Sequence, residues 1–132
     1  MSGKPVSGKP VSGKAAPGKL APDELIPLTG VSPRAALAAA RAVLAGRPGQ
    51  REASIAHQAA AIVLRDFGDV AAAIREFRLA ARLARAAHDP EREADVLTSL
   101  GTALVIAGCT EAGLAVLDQA RAAAGPGPRA LG

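Results

Sequence analysis

From Ser32 onward the chain is cut into helix-length segments by caps and stops, and this punctuation constrains the fold more than any other feature. Ser32-Pro33 offers an N-cap followed by proline at the first helical position, and Gly46 stands where a C-cap belongs. These signals predict a helix over 33–45. A second runs from Gln50 to Phe67 and stops at Gly68. Asp69 caps a third over 70–88, and Asp89-Pro90 opens a fourth over 90–107, closed by Gly108. Thr110 caps a fifth over 111–124, which Gly125-Pro126-Gly127-Pro128 ends. Connections this short force neighbouring helices antiparallel. The expectation is an all-α chain of antiparallel helical hairpins, about five helices in all.

Composition supports that class and removes others. Alanine fills 33 of 132 positions, and the only aromatic residues are Phe67 and Phe77. A sandwich or barrel needs β-branched and aromatic residues, so an all-β fold is excluded. A buried methyl group is worth only about 0.8 kcal/mol, so the 49% hydrophobic fraction buries less than it suggests. The single cysteine, Cys109, rules out a disulfide framework and a Cys-based zinc site. No apolar run approaches the roughly 18 residues of a membrane span. Met1-Ser2-Gly3-Lys4-Pro5 lacks the apolar core of a signal peptide. The expected setting is cytoplasmic, with no membrane.

Charge divides the chain. Lys4, Lys9, Lys14 and Lys19 are its only lysines and recur every five residues among Gly, Pro and Ser. Five is neither a helical nor a strand period, so residues 1–20 are expected to be disordered and 21–32 an irregular lead-in. Residues 33–124 form the expected repeat domain, and 125–132 a flexible end. The arginines beyond the tail are nearly balanced by acids, and no concentrated basic domain results.

Offsetting the second and third helices by forty residues brings like onto like. Ala60 meets Leu100, Ala61 meets Gly101, Leu64 meets Leu104, and Gly68 meets Gly108. Ala73 meets Gly113, Phe77 meets Leu117, and Ala80 meets Ala120. Small residues recur where helices approach closely and larger ones where a gap must be filled. The pattern resembles the tetratricopeptide repeat, carried by Leu97, Leu100, Gly101, Leu104, Gly108, Gly113, Leu117 and Ala120. The forty-residue period is similar to the long bacterial variants found ahead of CHAT domains and in multidomain regulators. That resemblance implies a short α-solenoid, with 33–45 as the second helix of an incomplete first repeat. It also implies a protein or peptide partner on a concave face. Carried over, the face comprises Ile55, Gln58, Ile62, Arg65 and Asp66, then Asp95, Thr98, Thr102, Val105 and Ile106. No CHAT segment occurs within these residues, so no protease chemistry is implied.

Reactive constellations are missing from the pattern. His57 and His88 lie far apart with no acid or cysteine at ligand spacing, and they read as a core-side and a helix-terminal histidine. Cys109 has no local histidine or resolving cysteine. Asp66 and Asp69 bracket a turn, where Asp69 is a cap. No enzyme activity and no cofactor are expected. Arg75, Arg78, Arg82 and Arg85 fall on one arc opposite the Ala73–Phe77–Ala80 face. They read as a solvated face; the competing reading is a basic surface for nucleic acid or another anion, weakened by the lack of interleaved aromatics. Leu114 and Val116 lie on an edge of the last helix that no later helix of this sequence covers, which predicts self-association as a homodimer, or docking of a further repeat where the chain is part of a longer protein.

Overall fold

The computed structural model describes residues 20–125. The expectations for the lysine tail and for 126–132 fall on residues outside that range. Six α-helices follow a 3-10 turn at Pro22–Glu24: α1 Leu25–Thr29, α2 Pro33–Ala45, α3 Gln50–Asp66, α4 Val70–Ala86, α5 Pro90–Ile106 and α6 Thr110–Ala124. No strand occurs among the described residues. The fold is an all-α stack of helical hairpins.

The joints explain its regularity. α3, α4, α5 and α6 begin at Gln50, Val70, Pro90 and Thr110, twenty residues apart. Each of the first three ends in the same pair of reverse hydrogen bonds. At the end of α3, Gly68 N–H donates to Arg65 O and Asp69 N–H to Leu64 O. His88 and Asp89 repeat this on Arg85 and Ala84, and Gly108 and Cys109 on Val105 and Leu104. The motif needs a left-handed residue, found at Gly68 (φ 95°), His88 (φ 55°) and Gly108 (φ 91°). The next residue then starts the following helix. Asp69 accepts from Ala72 N–H and Asp89 from Arg92 N–H, whereas Cys109 makes no side-chain cap bond. His88 therefore stands one residue past the C-cap Ala87, in a glycine's conformation, and not in the last turn.

Within the stack, α3 lies closest to α4 and α5 closest to α6, while the α2–α3 and α4–α5 contacts are less extensive. One core cluster joins Ala61, Phe77, Val96, Leu97, Leu100, Leu104 and Ala120 across the last four helices. A second joins Leu25, Ala39, Ala40, Ile55 and Ala59 at the N-terminal end. α3 serves both and is the most buried helix; α6 buries only Gly113 and Ala120.

The lead-in is a correction. Residues 21–32 were expected to be irregular, but a 3-10 turn and α1 occupy most of them. Pro22 sits at the first position of its turn, where a missing N–H costs nothing. Leu25 is fully buried between α2 and α3. α1 packs on both those helices, so α2 has a short partner in its hairpin.

Candidate partner-binding site

The surface that could receive a partner follows from how α5 sits on α3 and α4. Ser54 Oγ–H donates to Ala80 O at 2.7 Å and accepts from Arg92 Nε at 3.1 Å. Gln58 Nε2 donates to Asp95 Oδ2 at 3.2 Å and to Ser99 Oγ at 3.3 Å. At the N-terminal end of α5, Arg51 Nε donates to Asp89 Oδ2 at 3.2 Å, and its Nη2 reaches Asp23. Asp23 first, then Asp89, holds the Arg51 guanidinium above its ordinary range. Arg92 moves the other way. Burial lowers it, against the pull of Asp95. Gln58 Oε1 and Arg92 Nη2 are buried without a hydrogen-bond partner among the described residues. Such atoms typically cost about 1–3 kcal/mol each, so this polar seam orients α5 more than it stabilises it.

The ten positions expected to form one concave face divide at this seam. Ile55 (1% exposed) belongs to the N-terminal core, and Gln58 (2% exposed) lies beneath α5. Both are interior and leave the expected face. Ile62 and Arg65 are half-buried, and Asp66 is exposed with its carboxylate on Arg65. Asp95, Thr98, Thr102, Val105 and Ile106 are all exposed. The carry-over treated α3 and α5 alike, although α5 itself covers the α3 row. Forty residues on from Arg51, Ser54, Gln58, Ile62 and Arg65 stand Glu91, Ala94, Thr98, Thr102 and Val105. Ser54 and Gln58 are buried, and no α5 counterpart is.

Beside this row, α5 and α6 enclose an open groove of about 680 Å³. Its apolar part comes from Ala94, Leu117, Ala120 and Ala124. Arg51, Arg92 and Arg121 supply positive charge around it, and Asp89, Glu91 and Asp95 negative charge. Sequence comparison pairs Leu117 with Phe77 as equal wedges, yet Phe77 is fully buried and Leu117 only partly buried, lining the groove. The missing signal was the stacking order, which alignment of the two units does not contain.

The predicted self-association edge also divides. Leu114 is 55% exposed, but Val116 packs against the main core. Val116 therefore leaves the expected contact, and Ile106 (62% exposed) and Val105 are the other open apolar side chains nearby in sequence. Arg75, Arg78, Arg82 and Arg85 are all exposed, and Arg85 donates to Glu93 at 2.7 Å. His57 Nδ1 lies 2.7 Å from Glu76 Oε1, half-buried between α3 and α4. Cys109 is exposed, and no group of His, Cys, Asp and Glu among the described residues could hold a metal. No helix among them is long and apolar enough to cross a membrane.

No protein-family model, curated protein or solved structure matches the chain.

Proposed function

We propose that the chain is a non-enzymatic protein–protein interaction module, a tetratricopeptide-like scaffold or regulatory segment of the bacterial cytoplasm that works without a cofactor. One observation carries this reading: the α5 row is open where the matching α3 row is covered by a helix. The partner is a protein or peptide, and Leu114 offers a secondary contact for self-association. Pulldown with the full chain tests this against a Thr102→Arg/Ile106→Arg variant. The expected outcome is a partner captured by the parent and lost by the variant. Identical captures by both sink the reading.

A second reading has its own observation. Arg75, Arg78 and Arg82 are exposed with no acidic partner among the described residues, a basic stripe open to nucleic acid or another anionic surface. A gel-mobility titration with random duplex at low salt checks it, and an unshifted duplex removes it.

A further inference from the structure

The groove between α5 and α6 reproduces, forty residues on, the surface that α5 itself occupies. Ala94 and Thr98 stand where Ser54 and Gln58 lie under α5, and Ala120 stands for Ala80. We propose that this groove takes one amphipathic helix from another polypeptide, laid as α5 lies on α3 and α4, with a basic residue at its N-terminal end against Glu91. The proposal rests on the interaction-module reading above.

Two observations specify the occupant. The first is the floor. In the earlier seat, Val96 of α5 is fully buried in the same cluster as Ala80, because small residues let a helix come close. Ala94, Ala120 and Ala124 offer the same close approach in the open groove. An occupant like α5 brings a β-branched or similarly small apolar residue there.

The second is charge. Arg51 bonds the Asp89 carboxylate that caps α5, but its counterpart in the open groove is Glu91. The groove's three arginines and three carboxylates balance, so the contrast lies at this one rim position, where an acidic N-terminus meets Arg51 in the first seat and Glu91 in the second. This also argues against a second copy of α6 as the occupant, since its first turn carries Glu111 and its basic residue, Arg121, lies in the last turn.

The test uses two synthetic peptides of residues 88–107, one unaltered and one with Asp89→Lys, titrated by fluorescence anisotropy with the full chain. Glu91→Arg and Ala94→Arg variants are titrated alongside, their folding checked by circular dichroism. The lysine substitution removes a helix cap from the peptide, so the readout is the ratio of the two affinities in each protein, where the cap cancels. The expected result is saturable binding, abolished by Ala94→Arg. The Lys-to-Asp affinity ratio should fall about tenfold from parent to Glu91→Arg, a rim charge pair counted in both senses. Absence of saturable binding, binding indifferent to Ala94→Arg, or an unchanged ratio each overturns the proposal. If the peptides fail while Thr102→Arg/Ile106→Arg still loses a pulldown partner, the module stands and the α5-like helix is removed.

Discussion

Ala61 and Ala73 lie between α3 and α4 at the positions Gly101 and Gly113 hold between α5 and α6. The first pair keeps its methyl groups fully buried; the second has no room for them. A Cβ on Gly113 would stand 2.8 Å from Gly101 O, and one on Gly101 would stand 2.7 Å from Leu117. The C-terminal hairpin is thus closed more tightly at its crossing, yet it is the less covered of the two. The earlier hairpin has helices on both flanks and a fully buried Phe77. The later one has a partly buried Leu117 and a joint lacking its aspartate. The contrast shows one plan executed with different means: burial by neighbours in the first unit, backbone proximity in the second.

The sharpest way to break that contrast is truncation of the two wedges. Phe77→Ala should cost about 3–5 kcal/mol and Leu117→Ala about 1–2, measured by urea unfolding. Equal losses would mean that the groove is covered in solution. Next, Gly113→Ala should destabilise by about 1–3 kcal/mol despite alanine's better helix propensity, because the methyl group would meet the Val105 side chain and, behind it, the Gly101 backbone oxygen, which cannot turn aside. A gain in stability would show that α5 and α6 stand further apart than described. Cys109→Asp should stabilise by about 1 kcal/mol, restoring the cap that Asp69 and Asp89 provide. An unchanged unfolding midpoint would place the joint's weakness elsewhere. The smallest effect belongs to His88→Gly, a gain of about 0.5–1 kcal/mol from relieving a positive φ, read from the shift in thermal midpoint.

Much of this architecture is legible in the residues because its signals are local. Ser32-Pro33, Asp89-Pro90, Gly68 and Gly108 act within one turn of chain, and α2, α4 and α5 begin where those signals put them. α1 escaped because nothing local makes five residues between Pro22 and Gly30 helical. It forms because Leu25 finds a cavity between two helices that come later in the chain. The candidate face failed at Ile55 and Gln58 for a related reason. Periodicity shows which side of α3 is buried, but α1, α2 and α5 decide how far round the helix burial extends. His57 was legible as a core-side residue, whereas its partner Glu76, nineteen positions on, was not.

The three equivalent joints at 67–69, 87–89 and 107–109 make length a free variable of this fold. Duplicating residues 69–108 in tandem would set Gly108 before Asp69, a junction of the same kind as those already present, and would add a hairpin without a new turn. Growth by such copying needs no invention at the splice. The exposed row would pass to whichever unit came last, and a lineage could change what it binds by altering a handful of side chains there while every earlier layer stayed as it was.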